Sequence, residues 1–124
     1  MKYFHDKGAP KEKLIMGMPM YGQSFTLASS SNNGLNAAAS GAGNAGPFTR
    51  QAGMLAYNEI CDLVKHDNWS VQQQPEMGPY AFKGNQWVGY DDVEMIREKV
   101  NCPFQFLSFC AKNIIYNLYL IESI

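Results

Sequence analysis

The densest group of carboxylates in the chain is Asp91-Asp92-Val93-Glu94. Neighbouring carboxylates can divide acid and base roles in hydrolysis when their surroundings push their pKa values apart. The same three side chains also suit the first turn of a helix, where the macrodipole favours negative charge. On that second reading, the one we adopt, Asp91 caps the helix and Glu94, three residues on, completes a capping box. Tyr21, Trp69 and Trp87 offer flat apolar surfaces that stack on a ligand or pack in a core, and Tyr21 adds a hydroxyl handle. Core packing is the expectation for Trp87, whereas the polar neighbours of Trp69, Asn68 and Ser70, leave its face unassigned. Cys61, Cys102 and Cys110 form no Cys-x-x-Cys pair, and His5 and His66 stand alone. A zinc site needs about four ligands at short paired spacing, so no metal is expected, nor any cofactor, and at most one internal disulfide.

Elements must hold these residues. Lys7-Gly8-Ala9-Pro10 reads as a helix exit and turn. The apolar run Leu14-Ile15-Met16-Gly17-Met18-Pro19-Met20-Tyr21 lacks alternation, the pattern of a strand covered on both faces. Pro19 cannot donate to a ladder, so pairing should fade there and leave Tyr21 at the strand's carboxyl end. In open α/β sheets and barrels, sites are built at that end. Residues 28–47 are rich in Ser, Asn, Gly and Ala and read as a long loop with short strands at its ends. The spacing of Met54, Tyr57, Cys61 and Val64 predicts a helix over 54–65. Lys83-Gly84-Asn85, between two apolar runs, predicts a β-hairpin. Val93, Ile96 and Val100 give the following helix its apolar stripe, and Pro103 ends it.

The chain has 124 residues, 46% of them hydrophobic and 17% charged, with a net charge of −1. That balance gives no basic field for nucleic acid, and no run of about 18 apolar residues offers a membrane span. The amino-terminal residues lack the apolar stretch of a signal peptide. A complete (β/α)8 barrel needs ~250 residues, twice what is present. Charge is uneven: 19 of the 21 charged side chains fall in residues 1–100. A helix normally follows a buried strand within a few residues. Here some sixty intervene, from Gln23 to Trp87, so an α+β module inserted in a βα loop is expected.

Three separated blocks resemble family 18 chitinases in the right order. Lys13-Leu14-Ile15-Met16-Gly17-Met18-Pro19-Met20-Tyr21-Gly22-Gln23-Ser24-Phe25-Thr26-Leu27 resembles their seventh-strand segment. Gly46-Pro47-Phe48-Thr49 with Gly53-Met54-Leu55-Ala56-Tyr57-Asn58-Glu59-Ile60-Cys61 resembles their insertion domain. Gln86-Trp87-Val88-Gly89-Tyr90-Asp91-Asp92-Val93-Glu94 resembles its closing strand and the start of the next barrel helix. The resemblance implies an α+β insertion domain plus a fragment of a (β/α)8 TIM barrel, comprising strand seven and the start of helix seven. The implied division is 1–22 barrel fragment, 23–87 insertion domain, 88–101 start of the following barrel helix, and 102–124 a divergent tail.

The family hydrolyses β-1,4-linked N-acetylglucosamine polymers with retention, the substrate's acetamido group acting as nucleophile. Its acid/base glutamate lies on a D-x-x-D-x-D-x-E motif that these 124 residues do not contain, and its late strand-eight tryptophan is absent too. No catalytic residue is therefore assigned, and the chain alone is expected to be inactive. Substrate-binding positions carry over one by one. Tyr21 matches a tyrosine lining the sugar site. Gln23 stands where an arginine is usual, keeping an amide donor but losing charge and the bidentate fork. Gln51 stands where some members carry a glutamate, and Met54 matches a methionine packing along the sugar. Cys61 matches a cysteine paired near the family's carboxyl terminus, and neither Cys102 nor Cys110 lies in a matching context. The implied partner is chitin or a chitooligosaccharide, with no nucleic acid, membrane or specific protein partner, and the implied location is extracellular.

Residues 101–124 resemble nothing in the family. They read as translated non-coding sequence after a truncation, or as a divergent helix with Leu107, Ala111, Ile114, Ile115, Leu118 and Ile121 at helical spacing. Met1 falls where the family has a helix interior, so a cut start is expected as well. Three readings of function stand: a piece of an active chitinase, a piece of a chitinase-like lectin without hydrolase activity, and an unstable fragment with no function.

Overall fold

The computed structural model describes residues 2–10, 13–14, 17–75 and 77–101, with only the backbone described for Lys2, Val100 and Asn101. Cys102, Pro103, Cys110 and the expected tail helix lie outside these residues. The chain forms two compact units, Pro19–Met95 in one and Met1–Met18 with Ile96–Ile124 in the other. In the second unit, helix α1 (Lys2–Asp6) ends as expected. Gly8 takes φ +96°, where a Cβ would be strained, and Ala9 N donates to Phe4 O at 3.0 Å.

Among the described residues the predicted buried strand over 14–21 is not found. Leu14 and residues 17–20 join no strand ladder, although Met20 O accepts from Tyr57 N at 3.0 Å, and Ile15 and Met16 lie outside the described residues. Pairing begins where the proline stops interfering. Strand β1 (Tyr21–Leu27) opens at Tyr21, so Tyr21 starts an antiparallel strand instead of closing a parallel one. The described sheet is wholly antiparallel.

The sheet holds β2 (Ala39–Ala42), β3 (Met54–Ala56), β4 (Ser70–Gln72), β5 (Tyr80–Lys83) and β6 (Gln86–Gly89) besides β1. Its order is β2-β1-β6-β5-β4, and β3 pairs with β1 as well. Strands β2 and β3 share one edge of β1: Phe25 faces Ala42, while Gln23 faces Met54 and Tyr21 faces Ala56. On the other edge Gln23 faces Gly89 and Phe25 faces Trp87. The β5–β6 hairpin turns at Gly84-Asn85 as expected, with Gly84 at φ +58°.

The predicted helix over 54–65 is shifted. Met54 belongs to β3, and α2 spans Tyr57–His66. The spacing of Met54 from Tyr57 mimics a helical stripe, but Met54 pairs with Gln23 on β1 and its N donates to Gln51 O at 3.4 Å. Helix α3 spans Val93–Asn101, and its cap is Asp92, not Asp91. Asp92 Oδ1 accepts from Met95 N at 2.9 Å, so Glu94 falls one place short of the capping-box position.

Alternation of side chains gives the sheet two unlike faces. One face packs on α2: Leu55, Ile60, Ala81 and Val88 form the core, with Leu63, Val64, Trp69, Val71 and Tyr90 against it. Trp69, whose face the sequence left open, is thus a core residue. Close approach is made possible by Gly22, where a Cβ would sit 2.6 Å from Val88 Cγ2, 2.8 Å from Ile60 Cδ1 and 2.9 Å from Gly89 O. The opposite face carries Tyr21, Gln23 and Phe25 of β1, all exposed.

Candidate functional site

The open face collects the expected substrate-binding residues. Tyr21, 45% exposed, and Gln23 point the same way along β1. Met54, half-buried, stands directly opposite Gln23 on β3, and directly opposed residues point to the same face. Gln51 lies exposed in the turn leading into β3, following Arg50 at φ 52°. Gln23, Gln51 and Met54 line one open recess of about 460 Å³ with Phe25, Ala42 and Gly53. Tyr21 shares their face but does not line that recess.

The recess exists because β1 changes partners. Between β2 and β3, Gly43 N donates to Ser24 O at 3.0 Å, Ser24 N donates to Gly53 O at 2.9 Å, and Gly53 N donates to Gly43 O at 3.0 Å. Gly43 has no room for a side chain, since a Cβ there would lie 2.5 Å from Ser24 Oγ. That Oγ is buried and has no partner among the described residues.

Glu59 was missed as a supporting residue. Its side chain is 2% exposed on α2 and accepts four hydrogen bonds. Oε1 receives Phe48 N at 2.7 Å and Thr49 N at 3.0 Å. Oε2 receives Ala56 N at 2.7 Å and Thr49 Oγ1 at 2.9 Å. Burial pushes the carboxyl up, but the bonds from Thr49, Ala56 and Phe48 outweigh it and hold the group below its ordinary range. Both ends of the segment bearing Gln51 and Met54 are thereby tied to one anion. The signal was present in part: Glu59 stands at the third position of α2, where a capping glutamate reaches back to Ala56 N.

Two tyrosine hydroxyls are also shifted. Tyr57 and Tyr90 have ring centroids 6.3 Å apart. Burial, then the charge of Asp92 and of Cys61, pushes the Tyr90 hydroxyl up to about 12. Tyr57 is raised further, by burial and then by Cys61. Cys61 is a half-buried free thiol. Asp92 is occupied as a cap and also accepts from Gln73 Nε2 at 3.0 Å.

Trp87 lies on the open face, in an aromatic stack. Its ring is 5.2 Å from Tyr80 at 24° and 6.1 Å from Phe25 at 49°. Packing of Trp87 was expected, though it is packed on this face and not in the core beneath α2.

The site is thus a small antiparallel sheet with one helix-covered face and one open face lined by neutral polar and aromatic side chains. The family model for glycosyl hydrolases family 18 matches residues 1–105, and the chain belongs to that family, among its chitinases and chitinase-like proteins. It is 54% identical over 101 residues to "Probable chitinase 10" of Drosophila melanogaster, covering 80% of this chain and 4% of that protein. Among solved structures, it resembles a variant of Ostrinia furnacalis Group II chitinase catalytic domain 2 in complex with (NAG)5. There the TM-score is 0.78 and identity 42%, over 82% of this chain and 27% of that one. It also resembles human YKL-39, a pseudo-chitinase with retained chitooligosaccharide binding, with a TM-score of 0.75 and 49% identity over 82% and 27% of the two chains. The chain thus spans about a quarter or less of the length of these relatives.

Proposed function

We propose that this chain forms part of the wall of a chitin-binding cleft, as the insertion domain of a secreted family 18 protein with short pieces of the barrel on either side. In this reading residues 1–22 and 88–101 are the barrel pieces, 23–87 the inserted module and 102–124 a divergent tail. The carrying observation is the common recess of Gln23, Gln51 and Met54, on the face that also bears Tyr21. Two amides offer donors and acceptors to sugar hydroxyls and acetamido groups, and a thioether and an aromatic ring offer apolar contact. Among the described residues no charged side chain lines the recess, which suits a neutral polymer.

Hydrolysis needs an acid/base glutamate on the D-x-x-D-x-D-x-E motif, and these residues carry none. The chain is therefore expected to stay on chitin beads, to wash off cellulose, and to release no soluble oligomers. Release of N-acetylglucosamine oligomers by the purified chain would contradict the inactive reading, and loss from chitin beads would contradict the binding reading. A second reading, that the whole protein is a chitinase-like lectin, is favoured by the two neutral glutamines and by the likeness to a pseudo-chitinase that keeps chitooligosaccharide binding. The strand-four motif of the complete coding sequence separates the two: it ends in glutamate in an enzyme and not in a lectin.

A further inference from the structure

One exposed turn takes no part in the recess. Asn68 and Trp69 lie between α2 and β4, and Ser70 is the first residue of β4. Asn68-Trp69-Ser70 is the one place in the 124 residues where an asparagine has serine or threonine two positions on. Asn-x-Ser/Thr, with x other than proline, is the acceptor pattern for N-linked glycosylation. So short a pattern also arises by chance, and geometry decides whether this copy can carry a glycan.

The turn is built for display. Asp67 N and Trp69 N both donate to Leu63 O, at 3.2 and 3.3 Å, which closes the last turn of α2. Between them Asn68 takes φ 55°, a left-handed conformation that asparagine adopts more readily than most residues. Lys83 Nζ donates to Asp67 O at 2.6 Å and ties the turn to β5. Trp69 packs against the core, while Asn68 and Ser70 on either side of it are both exposed. With the middle residue anchored inward, the acceptor amide and the hydroxyl of the pattern are left to solvent. The turn is also remote from the recess. Strand β4 ends the described sheet, three strands from β1 in the order β1-β6-β5-β4, or about 14 Å at the usual strand spacing. The outer edge of β4 carries backbone groups that no described strand pairs, the kind of edge that recruits a second chain. A branched oligosaccharide rooted two residues before β4 covers that edge and leaves the recess open.

We propose that Asn68 is an N-glycosylation site whose glycan shields the β4 edge. The proposal rests on the reading that the whole protein is secreted. In the transfer, Asn68 Nδ2 bonds to C1 of the first sugar of a polyprenyl-diphosphate-linked oligosaccharide. The C1–O bond to the diphosphate breaks, the polyprenyl diphosphate leaves with that bond's electron pair, and one amide proton is lost to solvent. The test is expression of the 124-residue chain in mammalian cells behind an added signal peptide, with recovery from cells and medium. The chain should migrate above its sequence mass, return to it on treatment with peptide-N-glycosidase, and then carry aspartate at position 68. Ser70→Ala and Asn68→Gln should lose the glycan, and Ser70→Thr should keep it. Ser70 is exposed, so its variants keep the test decisive if Asn68→Gln fails to fold. Light scattering should show the enzymatically deglycosylated chain self-associating at concentrations where the glycosylated chain stays monomeric. A chain found only at its bare sequence mass, or a glycan kept in Ser70→Ala, overturns the site whatever the compartment of the whole protein. Equal association of the two forms overturns the shielding. Retention of the complete protein inside the cell, when expressed from its own coding sequence, overturns the secreted reading and with it the modification of the native protein.

Discussion

The two faces of one sheet are built from different materials. Under α2 lie Gly22, Ser24, Ala81 and Val88, small residues that let the helix sit close. On the open side the same strands display Tyr21, Phe25 and Trp87. Large rings occur on both sides, since Trp69 and Tyr90 pack against the core, but on the open side Tyr21 and Phe25 stay 45% and 40% exposed and forgo burial that would stabilise the fold. That is the pattern expected of a contact surface.

The comparison can be broken first on the covered face. Ile60 is 1% exposed at the centre of the core. Ile60→Ala should lower stability by about 2–5 kcal/mol, read as a shift of the urea midpoint at unchanged slope. An unaltered midpoint would show that α2 does not hold the sheet. Glu59→Gln comes next, with an expected loss of about 1–3 kcal/mol at neutral pH, because Gln cannot accept all four bonds. The folded-state carboxyl is lowered, so its contribution is full above the ordinary carboxyl range. It is lost as pH falls through that range and the lower folded value. The gap between the unaltered chain and the variant should therefore close on acidification, in urea melts at a series of pH values. A gap that widens toward acid would refute the assignment. Smallest in stability is Tyr21→Ala, expected within about 0.5 kcal/mol since the side chain is exposed. Its retention on chitin should nevertheless drop, and equal retention would remove Tyr21 from the binding face.

The legibility of the sequence followed the same divide. The β5–β6 hairpin was readable because Gly84-Asn85 supplies turn geometry. Most of α2 was readable from Tyr57, Cys61 and Val64. Strand β1 was not, because its inward positions are Gly22 and Ser24, which leave no apolar alternation. Strand β3 was absorbed into α2 because Met54 falls one helical step before Tyr57. Strand β4, Ser70–Gln72, is a short polar edge with no pattern of its own. The site residues Gln23, Gln51 and Met54 came from the resemblance, since amides and a methionine scattered over thirty positions carry no chemical signal by spacing. Their meeting depends on β1 pairing with β3, a long-range event. The same holds for Glu59, whose bonds reach back to Phe48 and Thr49 across the turn that it fixes.

The most direct measurement is a two-dimensional NMR titration of the 124-residue chain with a chitooligosaccharide. Shifts concentrated at Tyr21, Gln23, Gln51 and Met54, with Ile60, Leu63 and Val64 unmoved, are the predicted result. Shifts concentrated on α2, or none at saturating oligomer, would contradict a sugar-binding open face.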